Sequence, residues 1–349
     1  MKPVYLQTSA PDPKVSVALF TYKHEKSIAQ AIESVLMQKT DFTVELVIGE
    51  DCSPDATRDI VQRYSEHYPF VIRPLLHEHN IGIGQNVTEV FKACRGKYIA
   101  LLEGDDYWTD ELKLQQQVDF MEREPDCAVC HHRVQAVADS SAKVVYEYPP
   151  EEWRKYRIDG DALIQSNINF IHTCSALYRV AAMPSRIEEL LGLPLLDWPI
   201  AILSGQNGWI GYIDRCMAVY RLHAGGSWQM KSYEEKCYYT LKMFDVVVQM
   251  VDQDKRKKMN EKLDNARFSV TSLCSIYRSP SWSLKIMRIY LKRLESAGRG
   301  HLLKSFLFTL TFVMPLILKR PIQILLADGP ATLFRKAKAV MQRKPTLTQ

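Results

Sequence analysis

Short β-branched runs alternate with helical spacing through the N-terminal third of the chain, and that alternation leaves few architectures open. Val15–Phe20 and Val44–Ile48 read as buried strands, too short and too rich in branched side chains for helices. Ile28, Ile32, Val35 and Leu36 recur at helical spacing, and Asp55 is placed to cap a helix running through Ile60, Val61 and Tyr64. Val71 and Ile72 begin a third strand, residues 84–94 a third helix, and Tyr98–Leu102 a fourth strand. Such uninterrupted alternation predicts an α/β fold, a Rossmann-like and mainly parallel sheet covered on both faces.

The fourth strand runs straight into Glu103-Gly104-Asp105-Asp106-Tyr107. Ligands of open α/β sheets bind beyond the carboxyl ends of the strands, and hard divalent cations take oxygen ligands. Three acids so close repel one another unless a positive charge sits among them. An acid-rich turn also serves as a solvated loop or a helix cap, and Asp110 is placed to cap a helix beginning near Glu111.

Several motifs in order carry a resemblance. They are Val15-Ser-Val-Ala-Leu-Phe-Thr-Tyr22, Ser34-Val-Leu-Met-Gln38, Glu45-Leu-Val-Ile-Gly-Glu-Asp-Cys-Ser53, Asn80-Ile-Gly-Ile-Gly-Gln-Asn86, and the run from Gly96 to Trp108. From about Lys14 to Ser227 the chain resembles the inverting family 2 glycosyltransferases of GT-A fold, which use nucleotide-activated sugars. The resemblance implies a divalent cation, Mn²⁺ or Mg²⁺, held at Asp105. Glu103 replaces the first aspartate of the family's Asp-x-Asp signature and, one methylene longer, reaches ribose or metal indirectly; Gly104 and Asp106 complete the donor-binding turn. The usual Asp-Asp-Gly-Ser is here Glu50-Asp51-Cys52-Ser53, with a cysteine less permissive of positive φ than glycine. Tyr22 and Asp51 are implied contacts of the nucleotide base, where a ring stacks and a carboxylate accepts the uracil N–H. Thr21, Glu25, Asn80 and Asn86 are further candidates for that pocket.

A second group follows: Leu195-Leu-Asp-Trp-Pro-Ile200, a helical stretch, then Trp209–Asp214 and Met217-Ala-Val-Tyr-Arg-Leu-His223. By resemblance Asp197 is the catalytic base and His223 a metal or phosphate ligand. Asp197 equally suits a helix start, since Pro199 fits a first helical turn, and a lone histidine is often a satisfied core residue. The chemistry asks for these types: a cation offsets the charge growing on the departing diphosphate, and a carboxylate takes the proton of the attacking hydroxyl. A glycoside hydrolase would instead need two carboxylates flanking the bond.

Two motif matches carry no function. Cys127-Ala-Val-Cys-His131 fits the covalent haem signature, but its surroundings read as a core strand and no apolar leader precedes Val15. Gly82-Ile-Gly84 follows the third strand and lacks the third glycine of a dinucleotide fingerprint. The 8 cysteines are scattered, as expected of reduced cytosolic thiols.

Charge divides the chain. Residues 251–349 hold 20 Lys and Arg against 6 Asp and Glu, leaving 25 against 34 for residues 1–250 of the chain's 45 and 40. We therefore expect a GT-A domain over residues 1–229 and a basic, C-terminal α-helical region over 230–349, with helical spacing in 233–250, 255–278 and 282–295. The apolar run Leu302–Leu318, bearing Lys304 and Pro315 and followed by Lys319-Arg320, suits an in-plane helix on an anionic membrane better than a span of about 30 Å; a helix packed on the catalytic domain is the other reading. Nucleic acid is a poor partner, because the basic residues accompany an apolar helix. The expected activity is sugar transfer from a UDP-sugar to a glycan or lipid-linked acceptor in cell-surface polysaccharide synthesis, at the inner face of the cell membrane. A sugar-phosphate nucleotidyltransferase would want a glycine-rich loop after the first strand, where Phe20–Lys26 has no glycine. A non-catalytic membrane scaffold would not need Asp105, Asp106 and Asp197.

Overall fold

The structure, a computed structural model, describes residues 12–256 except 140, 142, 167, 194, 224, 227–229, 252 and 254. The expected alternation is realised as β1 (Val15–Thr21), α1 (Ile28–Leu36), β2 (Val44–Glu50), α2 (Thr57–His67), β3 (Ile72–Leu76), α3 (Ile83–Ala93) and β4 (Tyr98–Glu103). There follow β5 (Tyr107–Trp108), α4 (Lys113–Arg123), β6 (Cys127–Ala138), β7 (Lys143–Tyr148), β8 (Arg157–Ile158), α5 (Ala162–Gln165), β9 (Leu177–Arg179), α6 (Asp197–Gly205), β10 (Trp209–Leu222) and α7 (Tyr233–Met250). One ten-stranded sheet runs β3-β2-β1-β4-β9-β6-β10-β5, with β7 on β6 and β8 on β10.

The strands β3, β2, β1 and β4 are mutually parallel, as is the β6–β10 pair. The β9 strand joins the two groups by antiparallel pairing to β4 and β6. The strand-helix periodicity of the N-terminal third foretells the parallel part; the antiparallel joints are decided by short strands with no periodicity to read.

Every residue of β1 is buried, as a strand covered on both faces must be. Val15, Val17 and Leu19 face a core with Ile28, Ile32, Leu46 and Ile48, while Phe20, on the opposite side of the pleat, meets Phe91 of α3 edge-on at 5.9 Å. Each such aliphatic side chain contributes roughly 1.5–3 kcal/mol by leaving water. A Cβ on Gly49 would lie 2.1 Å from Asn86 Oδ1, so α3 can approach β2 only because that position is glycine.

Two helix starts differ slightly from expectation. α4 begins at Lys113, with Asp110 Oδ1 accepting the Leu112 N–H at 2.8 Å. α2 begins at Thr57, whose N–H Asp55 Oδ1 accepts at 3.1 Å. Neither aspartate takes the cap position itself: Ala56 and Leu112 do, without a side-chain cap hydrogen bond, and Asp55 and Asp110 brace the turn just before each helix.

Cys127, Cys130 and His131 lie buried on β6, in keeping with a core strand. Residues 233–241 belong to a second compact unit and the other described residues to the first. Within the first, Phe244 packs against Trp198 at 5.6 Å. No described helix is long and apolar enough to cross a membrane. The readings placed on residues 257–349, Leu302–Leu318 among them, fall outside the described residues.

Candidate active site

Parallel register puts the acids together. Thr21 pairs with Glu50 and Phe20 with Glu103, so β1, β2 and β4 end side by side and release Thr21, Asp51 and the turn 103–106 at one edge. The turn is drawn close to β1: Gly104 N–H donates to Phe20 O at 2.9 Å, and a Cβ on Gly104 would meet Thr21 Oγ1 at 2.6 Å and His24 Nδ1 at 2.7 Å. Glycine is therefore required there by crowding, not by backbone angle.

Glu103, Asp105 and Asp106 each offer a carboxylate oxygen within 4.8 Å of the others. Burial and the neighbouring charges of Asp105 and Asp197 push the Glu103 carboxyl up to about 8. Burial and the neighbouring charges of Asp105 and Glu103 hold Asp106 well above the usual carboxylate range. Burial pushes Asp105 the same way, but the His223 hydrogen bond and the His24 charge outweigh it and bring its carboxyl down. An acidic turn under such mutual repulsion fits a hard divalent cation, with Asp105 the residue that would hold it and Glu103 and Asp106 beside it.

The end of β10 returns to this turn. Arg221 N–H donates to Asp106 Oδ1 at 3.0 Å, and its guanidinium to Asp105 O at 2.6 Å, with a further bond to Gln30. His223 Nε2 lies 2.8 Å from Asp105 Oδ2, which raises the imidazole above its ordinary value despite burial. His24 approaches the same oxygen at 3.8 Å. Burial lowers the His24 imidazole, and the Asp105 charge only partly offsets that.

Asp197 opens α6, and its charge is among those that raise Glu103. Asn169 Nδ2 donates to Asp197 Oδ2 at 2.6 Å, and the Tyr148 hydroxyl donates to Asn169 O. Burial raises the Asp197 carboxyl; the Trp198 N–H and the Asn169 amide pull it part of the way back.

The proposed base-binding residues are more committed to the protein than their sequence suggests. Asp51, buried, accepts Ile81 N–H at 2.7 Å and Gly82 N–H at 3.0 Å, which ties β2 to the start of α3. Asn80 donates to Asp51 O at 3.1 Å. Asn86 is buried, donating to Gly49 O at 3.0 Å and lying 3.1 Å from His77 Nε2. Glu25 accepts the Ala56 N–H at 3.2 Å. Tyr22 is 37% exposed and carries the Lys23 ammonium 5.0 Å from its ring, so it is the member of this group free to stack on a ligand. Cys52 adopts φ 55°, the left-handed conformation that the glycine-to-cysteine change made costly.

Three residues at the site carry no sequence signal strong enough to be singled out. His24 stands three places past β1, Asn169 sits in an irregular loop, and Arg221 reads as one more strand cation. Only the position of His24 beyond a strand's carboxyl end could have marked it.

Comparison with known proteins bears on this arrangement. Residues 16–185 match the description "Glycosyl transferase family 2". An uncharacterized protein of Mycobacterium tuberculosis is 40% identical over 214 residues, 61% of this chain and 60% of that one. The match thus spans about three fifths of its length. A putative teichuronic acid biosynthesis glycosyltransferase, TuaG of Bacillus subtilis, is 36% identical over 116 residues, covering 33% of this chain and 44% of that one. Among solved structures, S. aureus TarS 1–349 in complex with UDP-GlcNAc superposes with a TM-score of 0.64 at 17% identity, over 82% of each chain. The mannosyltransferase PcManGT of Pyrobaculum calidifontis, in complex with GDP-Man and Mn²⁺, does so with 0.52 at 14% identity, over 87% of this chain and 82% of that one. These two likenesses show the fold.

Proposed function

We propose that the chain is an inverting, metal-dependent transferase acting on a UDP-sugar, a reading supported by the match of residues 16–185 to glycosyl transferase family 2 and by the GT-A fold. The observation that carries the reading is the edge itself: one acidic turn, a histidine on its first aspartate, and the Asp197 carboxylate of α6 near enough to raise Glu103.

In this reading Asp105, with His223, holds a divalent cation, and Glu103 and Asp106 flank it. When bound, the cation neutralises charge on the departing diphosphate. Arg221 braces the turn through the Asp105 carbonyl and the Asp106 carboxylate. Asp197 takes the acceptor hydroxyl proton; its raised basicity suits a general base, and the Asn169 amide fixes which oxygen faces the sugar. A single base and no acid suffice, because a nucleoside diphosphate leaves without protonation. Tyr22 stacks on the base, and Asp51 accepts its N–H on the lone pairs left by the loop amides. Thr21, Glu25, Asn80 and Asn86 shape the wall of that pocket.

The acceptor in this proposal is a glycan or lipid-linked saccharide of a cell-surface polysaccharide. The TuaG likeness supports that class, and the basic C-terminal region supports work at an anionic membrane face. The test is a panel of UDP-, GDP- and dTDP-sugars, each with Mn²⁺ or EDTA, read by hydrolysis and thermal stabilisation. Mn²⁺-dependent turnover of a UDP-sugar is expected. A preference for GDP-sugars would overturn the base pocket, and full activity in EDTA would overturn the cation's role.

A further inference from the structure

A second group of donors lies beneath the acidic turn, chemically unlike the first. Asp106, His172 and Cys174 present a carboxylate oxygen, an imidazole nitrogen and a thiol sulfur, all within 4.8 Å of one another. Glu103 and Asp105 suit a hard ion; adding nitrogen and sulfur selects a softer one. The three come from different parts of the fold: Asp106 from the turn after β4, and the other two from the short helical turn Thr173–Ser175 and the residue before it.

The carboxylate is the telling member. Asp106 is 0% exposed; its Oδ1 accepts the Arg221 N–H, and beyond that its carboxyl meets only the thiol of Cys174. A thiol is a weak donor, so a buried carboxyl left with one as its remaining partner is poorly satisfied. His172 is held in the form a metal needs: burial lowers its imidazole to about 4, so it is neutral and keeps a lone pair. Its ring is fixed between Tyr220 at 4.1 Å and Tyr148 at 5.3 Å. Cys174 is fully buried, so no surface thiol chemistry accounts for it.

We propose that Asp106, His172 and Cys174 form a binding site for a thiophilic divalent cation of the Zn²⁺ class, separate from the donor cation's seat at Asp105. Around a tetrahedral zinc, with bonds of about 2.0–2.3 Å, ligand atoms stand roughly 3.3–3.7 Å apart, so a modest contraction of the trio closes the shell and leaves a fourth position for water. On binding, the Cys174 S–H bond breaks, the thiolate bonds the ion, and the proton passes to solvent. The ion clamps the acidic turn to the helical turn at Thr173–Ser175. Through Asp106 Oδ1 the clamp extends to Arg221 and so to β10. The cation's class follows from the mixed donor set and does not depend on the donor nucleotide.

Cobalt(II) is the probe, because a thiolate bound to Co²⁺ gives a charge-transfer absorption that oxygen ligands do not. Metal-free full-length protein titrated with Co²⁺ is expected to show one such band per chain, displaced by equimolar Zn²⁺. The band should vanish in Cys174→Ser and weaken at least tenfold in apparent affinity in His172→Ala. It should persist in Cys52→Ser, Cys216→Ser and Asp105→Ala. Asp105→Ala separates the two readings, since it removes Mn²⁺-dependent nucleotide binding but spares the thiolate band. A wild-type titration without the band, or a band unchanged in both Cys174→Ser and His172→Ala, overturns the proposal. Should Cys174→Ser fail to fold, the His172→Ala titration decides alone.

Discussion

At the scale of single residues, the site turns on how a few carboxylates are held. Asp197 is raised by burial and pulled back by the Trp198 N–H and the Asn169 amide. Asp197→Asn keeps size and loses the base, so transfer should fall by about 10²-fold or more while UDP binding stays near wild type. Steady-state kinetics beside calorimetry checks this, and near-normal transfer would remove Asp197 from the mechanism. Asn169 donates to the ionised carboxylate and so favours it. In Asn169→Ala that support is gone, the Asp197 carboxyl rises further, and the acid limb of the kcat/KM profile should move to higher pH. A residue that merely packed would lower stability without moving that limb.

Among the elements, the strands β1, β2 and β3 and the end of α3 are joined by one buried acid. Glu45 accepts Ser16 Oγ–H at 2.6 Å, Arg73 at 2.9 Å, and Arg95 through both its amide and its guanidinium at 2.8 Å. Burial pushes its carboxyl up; the Ser16, Arg95 and Arg73 hydrogen bonds outweigh that and leave it below its ordinary 4.5. A depressed folded pKa stabilises above the unfolded value and is lost as pH falls through the folded one. Glu45→Gln should therefore cost about 1–3 kcal/mol near neutrality, and the gap to wild type should close as pH drops below the ordinary value of 4.5. Urea unfolding at pH 7 and near pH 3 measures both ends. A gap unchanged with pH would mean that the charge plays no part.

For the whole molecule, the acidic body and basic C-terminal region make opposite demands on a surface. We expect the full chain to float with anionic vesicles and ignore neutral ones, since each Lys or Arg near such a surface contributes about 1 kcal/mol and an apolar face adds to it. Ending the chain at Gly300 removes Leu302–Leu318 and the basic residues after it, and should abolish flotation while nucleotide binding persists. Flotation that survives truncation, or loss of nucleotide binding with it, would refute the membrane role of that segment.

Much of the architecture and the acidic turn was legible in the chain itself, because periodicity and adjacency are local. Buried strands such as Val15–Thr21 announce themselves by unbroken apolar runs, and Glu103–Asp106 are neighbours in sequence before they are neighbours in space. The sequence also marked Asp197 and His223, though only through likeness to a family. What it could not show is who meets whom across the sheet. Register alone brings Thr21, Asp51 and Glu103 to one edge, and the return of β10 alone sets Arg221 and His223 on the turn more than a hundred positions earlier. Asp51 and Asn86 read as open ligand contacts, yet their polar atoms hold α3 to β2. Asn169, His172 and Cys174 carry no local pattern at all, since their significance lies in partners brought near by packing. Local interactions fix the elements because they depend on spacing along the chain; the site's chemistry depends on distances that exist only once the sheet has closed.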